Sequence, residues 1–338
     1  GFMSEKGLYV RAHEAFMEKI YPTMDGVDYT RQDMFSLVGL QNTPGHSDYK
    51  KAFNDVLYNL THVNKEPLLA QDGKFFRKVI KGTKEIEWWV DSGKKLIDFK
   101  WPRGQDGSSF GFEHSILIYP GDGIHIAGEG NKGKTALALS LAVENIDNPA
   151  FEGVTIFTTE FNDLKFKSRI ERFDWVNLWD SDKNRPKFEL LPSVRHYEDE
   201  ILRRPNNLVI IDWIKMDDEA WKIRAMVEKM LKPLDKGVLA FCTQKRSYKN
   251  WGEGGEGGMD LVSAGFHLMY QKLWVDKVKA PRDELSDPNH KWFGFEIYNG
   301  GSKFRDIREV QKCPTCSGAK KVRGAVCGSC NGAGWLDK

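Results

Sequence analysis

The segment that most constrains the fold is residues 128–135, which read G-E-G-N-K-G-K-T and match the phosphate-binding pattern G-x-x-x-x-G-K-[ST]. An apolar run precedes the segment at 124–127, and a run rich in alanine and leucine follows it at 136–142. These flanks predict a buried strand before the loop and a helix after it, which is the context in which the pattern binds phosphate. The alternative, a glycine-rich turn with a chance lysine, does not account for the flanks.

Each part of this phosphate loop has an expected role in binding ATP. The glycines allow a tight turn whose backbone N–H groups point at phosphate, and the N-terminus of the helix adds partial positive charge. Lys134 is expected to reach the β- and γ-phosphates, and the hydroxyl of Thr135 is expected to hold Mg²⁺. The residues expected to bind the nucleotide are Gly128, Gly130, Asn131, Lys132, Gly133, Lys134 and Thr135.

Composition narrows the class of protein. Of the 338 residues, 40% are hydrophobic and 29% are charged, which is typical of a soluble globular protein. We expect no membrane insertion and no export, because no apolar run approaches the roughly 20 residues that span a bilayer and no secretory signal is recognised. The net charge of +2 does not by itself indicate nucleic acid. Residues 303–338 carry eight basic and three acidic side chains, which indicates a contact for phosphates, a contact for an acidic partner, or a solvated surface.

Residues 1–105 are predicted to form a separate N-terminal module and its linker. Glycine, serine and proline at 91–112 indicate the linker. The order of helices and hairpin resembles a winged helix, a module that binds duplex DNA or another protein. The three helical patterns and the predicted hairpin lie at 11–20, 30–37, 49–60 and 68–79.

Residues 106–310 alternate apolar strand-like runs with helical patterns. Runs that are apolar throughout, with helices between them, predict an α/β fold with a mainly parallel sheet. Ligands bind such sheets at the carboxyl ends of the strands. The predicted strands are 116–118, 124–127, 154–158, 208–211, 238–242, 267–273 and 292–297.

Two of these predicted strands lead to carboxylates. Asp212 follows the run 208–211, and this pattern is typical of the Walker B strand, whose acid binds Mg²⁺, usually through water. Glu160 follows the run 154–158, where a carboxylate near the γ-phosphate can accept a proton from the attacking water. Glu160 can alternatively be an acid at the start of a helix.

A third strand leads to polar and basic residues. Gln244 follows the run 238–242, and an amide in this position can sense the γ-phosphate. Lys245, Arg246 and Lys249 come next, interleaved with aromatic residues and followed by a glycine-rich stretch. This composition favours a loop that holds single-stranded DNA through phosphate contacts and base stacking. A flexible surface loop is the alternative.

These motifs together resemble a known group. The run 119–128 with the phosphate loop is similar to the start of the RecA-like core in DnaB-type replicative helicases and their RecA and KaiC relatives. Glu160, Asp212 and Gln244 fall where that group has its strand-end glutamate, Walker B and glutamine sensor motifs. The resemblance implies ATP hydrolysis between subunits of a ring, expected to be a hexamer, or of a filament, with loops facing DNA. It also implies that Glu160 is the catalytic base and Gln244 the switch.

The chain departs from this group in two places. DnaB-type helicases carry a basic pair near the end of the core that completes the neighbouring subunit's site. The basic residues in that region here are Lys303 and Arg305. Either these residues act in trans, with Arg305 as the candidate finger, or the finger lies elsewhere. The N-terminal module does not resemble the helical collar of those helicases.

Residues 311–338 are predicted to form a zinc ribbon. Two C-x-x-C pairs, Cys313 with Cys316 and Cys327 with Cys330, have the spacing of a tetrahedral Zn²⁺ site. The repeated C-x-x-C-x-G-x-G pattern resembles half of the DnaJ cysteine-rich domain, which implies a small ribbon. Cys242 lies in an apolar run and is expected to be a buried small hydrophobe. This use of cysteine indicates a reducing compartment, so we expect a cytoplasmic protein.

The sequence therefore predicts an oligomeric RecA-like ATPase that requires ATP, Mg²⁺ and Zn²⁺. We expect it to act on DNA as a helicase-like motor, a loader or a recombination factor in replication or repair. One alternative is a non-motor ATP switch, a ring that binds other proteins, for which the N-terminal module is the expected docking site. A second alternative is a nucleic-acid-binding module with a vestigial nucleotide site, which does not account for the full set of motifs.

Overall fold

The structure is a computed structural model, and it divides into two compact units, Gly1–Val90 and Asp91–Lys338. We refer to them as unit 1 and unit 2 and describe each by itself. The described residues are 5–40, 47–79, 86–159, 163–214, 223–245 and 257–338.

The described residues of unit 1 form three helices and a small antiparallel sheet in the strand order β1-β3-β2. A 3₁₀ turn at Tyr21–Met24 follows the first helix, and a π-helical turn at Asn59–Val63 follows the third. The remaining elements are α1 (Glu5–Lys19), β1 (Tyr29–Thr30), α2 (Arg31–Leu37), α3 (Ser47–Tyr58), β2 (Leu69–Asp72) and β3 (Phe75–Lys78).

Local sequence explains these elements of unit 1. The side chain of Thr30 accepts a hydrogen bond from the backbone of Asp33, whose carboxylate accepts one from the backbone of Thr30, so α2 begins with a capping box. Gly73 adopts a left-handed conformation in the turn between β2 and β3, as the predicted hairpin requires. Phe16 and Phe53 join α1 to α3 in the core, with ring centroids 6.1 Å apart.

Unit 2 is built on a ten-stranded sheet in the order β17-β14-β13-β12-β11-β4-β10-β9-β5-β8. The strands from β8 to β11 in this order are parallel, and those from β11 to β17 are antiparallel. Two further pairs, β6 with β7 and β15 with β16, form small separate ribbons. The strands are β4 (Gly123–Gly128), β5 (Val154–Thr158), β6 (Trp179–Asp180), β7 (Arg185–Pro186), β8 (Phe188–Pro192), β9 (Leu208–Ile214), β10 (Val238–Gln244), β11 (Ala264–Met269), β12 (Lys272–Val278), β13 (Trp292–Tyr298), β14 (Lys303–Lys312), β15 (Lys321–Val322), β16 (Ala325–Val326) and β17 (Trp335–Asp337).

Apolar cores cover both faces of the parallel part of this sheet. Side chains of the first helix after the phosphate loop pack with β4, β5 and the antiparallel strands on one face. On the other face, Val227 and Met259 from two later helices pack on Val209 and Phe241. The helices of unit 2 are α4 (Phe112–Ser115), α5 (Lys134–Glu144), α6 (Asp163–Ile170), α7 (Tyr197–Leu202), α8 (Ile223–Leu231) and α9 (Gly257–Asp260).

The segment 91–112, which the sequence predicts to be a linker, is part of unit 2 in the structure. The two units divide between Val90 and Asp91, and not at residue 105. Aromatic side chains within the segment are buried in unit 2, where the ring of Trp101 lies 5.6 Å from that of Phe266 in β11. Its glycines and serines therefore form turns between residues of the core.

Two predicted strands of the core also differ in the structure. The run 267–273 is not one strand, because the chain turns between β11 and β12, and Gln271 in the turn has a φ of 53°. The run 116–118 forms only isolated bridges. The predicted strands 124–127, 154–158, 208–211, 238–242 and 292–297 all lie within the sheet.

Burial of Trp101 gives a test of this domain boundary. Trp101→Ala is expected to lower the free energy of unfolding of unit 2 by about 3–5 kcal/mol, because it removes a large side chain that is only 6% exposed. Trp88→Ala is the matched control; this side chain is 83% exposed, and we expect a change within about 0.5 kcal/mol. Chemical denaturation of both variants is the measurement. If both substitutions changed the free energy of unfolding by the same small amount, the segment would again be interpreted as a linker.

Candidate nucleotide-binding site and metal centre

The phosphate loop connects the carboxyl end of β4 to the start of α5. Two of its residues are left-handed, Asn131 with a φ of 56° and Gly133 with a φ of 99°. The left-handed backbone favours glycine at position 133, and a Cβ atom there would lie 2.6 Å from Cδ1 of Ile297 in β13, so the end of that side chain would have to move. The loop is thus shaped by its own sequence and by the antiparallel half of the sheet.

Lys134 lies over the loop that precedes it. Its Nζ donates hydrogen bonds to the carbonyl oxygens of Gly128 and Glu129, at 2.8 and 2.7 Å, and to Oε1 of Gln244 at 3.3 Å. Burial lowers the pKa of Lys134. The ammonium group and the amide of Gln244 therefore meet at one point beside the loop, as the predicted roles in phosphate contact and sensing require.

Thr135 and Asp212 meet across the end of the sheet. Thr135 Oγ1 donates to Asp212 Oδ1 at 3.0 Å, and the Asp212 residue is only 5% exposed. Two adjacent oxygen ligands of an octahedral Mg²⁺ ion at 2.0–2.1 Å lie about 2.9 Å apart. The hydroxyl and the carboxylate therefore fit the donor set and spacing of the Mg²⁺ site predicted from sequence.

A buried histidine contacts the strand that carries Gln244. His125 in β4 lies with Nε2 2.7 Å from Oγ1 of Thr243 in β10, and both side chains are buried. Burial, with a smaller contribution from the charge of His267, lowers the pKa of His125 to about 3. A neutral imidazole therefore ties β4 to β10 one residue before Gln244.

A cleft of about 440 Å³ opens beside the phosphate loop. The turn between β11 and β12 forms one of its walls, where the Nζ of Lys132 lies 5.6 Å from the ring centroid of Tyr270. This wall is not predicted by the sequence, because the turn lies within the run 267–273, which has the pattern of a single strand. The cleft is lined by Asn131, Lys132, Gly133, Lys134, Thr135, Ala136, Arg169, Tyr270, Gln271, Ile297, Gly300 and Gly301.

A second cleft, of about 340 Å³, lies at the amino ends of β5 and β9. Its lining contains both acidic and basic side chains, among them Lys187, whose Nζ lies 2.9 Å from Oδ1 of Asp147. Ligands of parallel α/β sheets bind at the opposite, carboxyl ends of the strands. The cleft beside the phosphate loop is therefore the candidate nucleotide site.

Glu160 lies outside the described residues, so its role as catalytic base stays a prediction. The described chain reaches Thr159, and Thr158, the last residue of β5, is in register with Asp212 of the neighbouring strand. The backbone that leads to Glu160 therefore leaves the sheet beside Asp212.

Arg305 is paired within its own chain. Its Nε donates to Oε2 of Glu296 at 2.8 Å, and its guanidinium lies 5.0 Å from the ring centroid of Tyr298. The side chain is 54% exposed. A role at a neighbouring subunit would require this ion pair to exchange, and that role also stays a prediction.

Of the three basic residues predicted to hold DNA, only Lys245 is described. Its backbone N–H donates to the carbonyl of Gly128 at 2.9 Å, and burial lowers the pKa of its side chain. Lys245 is therefore directly beside the phosphate loop. Arg246 and Lys249 lie outside the described residues.

The four C-terminal cysteines form one cluster. Their Sγ atoms all lie within 4.8 Å of one another, with Cys313 and Cys327 at 3.8 Å and Cys316 and Cys330 at 3.7 Å. These distances exclude disulfides, whose sulfurs lie about 2.05 Å apart. A tetrahedral Zn²⁺ with Zn–S bonds of about 2.3 Å places its sulfurs about 3.8 Å apart, so the cluster fits the predicted zinc site.

Cys242, the fifth cysteine, lies apart from this cluster. It is fully buried in β10, and burial raises the pKa of its thiol well above the usual range. The prediction that Cys242 acts as a small hydrophobe is consistent with this position.

In the part of the chain that the structure describes, no helix is both long enough and apolar enough to cross a membrane.

No family model matches the sequence, and no curated protein matches it. Among solved structures, a KaiC-like protein from the hyperthermophilic archaeon Pyrococcus horikoshii OT3 matches with a TM-score of 0.42 and 16% identity, over 63% of this chain and 99% of that chain. The α/β assignment of unit 2 therefore rests on the strand order and the phosphate loop described above.

Metal content tests the cysteine cluster. We expect one Zn²⁺ per chain, and Cys327→Ser is expected to lose it, because a three-thiolate site holds the ion less tightly. Affinity is expected to fall as the pH is lowered, since the ligands must be deprotonated. Elemental analysis after dialysis is the measurement, with Cys242→Ala as the control that keeps the metal. Retention of zinc by Cys327→Ser would place the ion elsewhere.

Proposed function

We propose that unit 2 is a RecA-like ATPase that hydrolyses ATP and acts on DNA. The observation that carries the proposal is the convergence of Lys134, Thr135, Asp212 and Gln244 at the carboxyl ends of β4, β9 and β10. The four side chains, of the types that bind phosphate, bind Mg²⁺ and sense nucleotide, form two hydrogen-bonded pairs, Lys134 with Gln244 and Thr135 with Asp212. Scattered motifs with no common function would not do so.

The chemistry follows from the position of each group. The phosphate loop and Lys134 would bind and orient the β- and γ-phosphates. Thr135 and Asp212 would hold Mg²⁺, which neutralises the charge that develops on the phosphates. Glu160 would accept a proton from the attacking water. Gln244 would report the presence of the γ-phosphate, because it contacts the same ammonium group as the phosphates.

The two smaller parts of the chain fit the same proposal. The order of α1, β1, α2, α3, β2 and β3 in unit 1 supports a winged-helix-like module, which would bind DNA or a protein partner. The cluster of four cysteines supports a C-terminal zinc ribbon. Reduced cysteines also support a reducing, intracellular location.

Assembly and DNA contact are further parts of the proposed function. We propose that the protein forms a ring, with six subunits as the expected number, or a filament, and that Arg305 contributes to the site of a neighbouring subunit. Single-stranded DNA would contact the segment that begins at Lys245 and includes Arg246 and Lys249. Lys245 supports this proposal because it follows Gln244 directly, so a contact with DNA can act on the sensor. The biological role would be that of a helicase-like motor, a loader or a recombination factor.

Steady-state ATP turnover with and without single-stranded DNA tests this function. We expect DNA to stimulate turnover and Lys245→Ala to reduce the stimulation, whereas Lys236→Ala, which removes an exposed lysine away from the site, leaves it unchanged.

Glu160→Gln is expected to bind ATP normally and to lose turnover by about 10²-fold or more.

The mass of the protein, measured by light scattering in the same buffer, separates the remaining interpretations. DNA-independent turnover in a multimer would support the ATP switch that binds other proteins, and would contradict a role on DNA. Absence of turnover in the wild-type chain would contradict the ATPase itself.

A further inference from the structure

The antiparallel half of the sheet has one apolar face and one face rich in tryptophan and lysine. Leu273, Val275 and Phe293 point into the core of unit 2. Because side chains alternate along a strand, Trp274 and Trp292 lie on the opposite face. Both are half-buried, as is Trp335 in β17. We call this second face, on β12, β13, β14 and β17, the tryptophan face.

The three tryptophans form a continuous row across the strands. Trp274 and Trp292 are register partners, and their rings are stacked with centroids 5.7 Å apart. The ring of Trp335 lies 4.9 Å from that of Trp292 and is tilted by 56°. This contact also brings the strand that closes the cysteine ribbon beside the ATPase sheet, since β17 pairs with β14.

Lysines surround the central part of this row. Lys312 Nζ lies 5.5 Å from the ring centroid of Trp292, and Lys272 Nζ lies 5.8 Å from that of Trp335. Lys320 also lies near this row. Its Cγ atom is 3.1 Å from the position that a Cβ atom would have at Gly334, the residue that precedes Trp335. The ammonium groups of Lys272 and Lys312 are thus placed beside aromatic rings.

The charge of this region is positive. Burial and the charge of Arg308 lower the pKa of Lys272, and the carboxylates of Asp337 and Asp306 partly oppose this shift. The nearby acids Asp306 and Asp337 are paired with Arg308. Residues 313–334, the ribbon itself, carry three basic side chains and no acidic one. Four thiolates around Zn²⁺ would carry two negative charges, which leaves residues 313–334 with a net charge of about +1.

We propose that the tryptophan face binds single-stranded nucleic acid, with bases stacked on Trp292 and Trp335 and phosphates held by Lys272, Lys312 and Lys320. Aromatic rings interleaved with cations are the combination that holds unpaired bases and their backbone. Duplex DNA keeps its bases stacked inside and would leave the rings unused. An acidic peptide would engage the lysines but not the rings. This site uses none of the residues that follow Lys245 in the proposed DNA-binding segment, and the proposed binding does not require ATP.

Binding of fluorescein-labelled dT20 and rU20, measured by anisotropy without nucleotide on the full zinc-loaded chain, tests the lysines. We expect the double variant Lys312→Ala, Lys320→Ala to bind at least ten-fold more weakly. The slope of log affinity against log salt should fall by about 1.4, since each phosphate contact on a single strand contributes about 0.7. Lys229→Ala with Lys232→Ala is the matched control; it removes the same charge from exposed positions at the end of α8 and should change neither quantity.

Stacking is tested separately with Trp292→Leu. Loss of one stacked base is expected to weaken binding by about five-fold or more, with the salt slope unchanged. Trp179→Leu, at a 47% exposed position on β6, is the control. Zinc content and circular dichroism show whether Trp292→Leu has folded. If it has not, Trp292→Phe is used in its place. This variant keeps an aromatic ring and should retain most of the affinity.

Three outcomes would overturn the inference. The lysine pair could leave affinity and salt slope unchanged, duplex DNA could bind as tightly as dT20, or polyglutamate could compete as well as dT20 while Trp292→Leu has no effect. The last outcome would identify an acidic protein as the partner. None of them bears on ATP turnover, so failure of this inference is distinguishable from failure of the proposed ATPase, which Lys134→Ala tests by itself.

Discussion

The hydrogen bond between Thr135 and Asp212 is the interaction on which the rest of the site depends. It joins the first turn of α5 to the end of β9, although β10 lies between β9 and β4, the strand that carries the phosphate loop. The contact is possible because α5 crosses the sheet from β4 towards β9. Placing β10 in the middle also sets Gln244 beside Lys134, so the sheet order brings together the side chains proposed to hold Mg²⁺ and to sense the nucleotide.

The antiparallel half of the sheet supports this site from the other side. Ile297 in β13 fits against Gly133, and the turn after β11 forms a wall of the nucleotide cleft. The same strands continue through β14 to β17 and the cysteine cluster. The phosphate loop and the ribbon are therefore connected through one sheet, and the tryptophan face lies on the strands that join them.

The parts of this structure that depend on local sequence could be predicted. Strand β5 was predicted with its observed bounds, and Asp212 was placed next to a buried strand, because an apolar run bounded by polar residues has few other interpretations. The turn at Gln271 was missed because a residue other than glycine adopts a left-handed conformation there. Burial of Trp101 and the contact of Ile297 with Gly133 depend on residues far apart in sequence, and no local pattern reports them.

The most direct test of the central claim is a double-mutant cycle on Thr135 and Asp212, with ATP affinity measured by calorimetry. If both side chains hold one Mg²⁺ ion, Thr135→Val and Asp212→Asn should be coupled by about 1 kcal/mol or more in the presence of Mg²⁺. The coupling should vanish when EDTA replaces the metal. Additive effects in Mg²⁺ would contradict a shared ion, and with it the assignment of this site to MgATP.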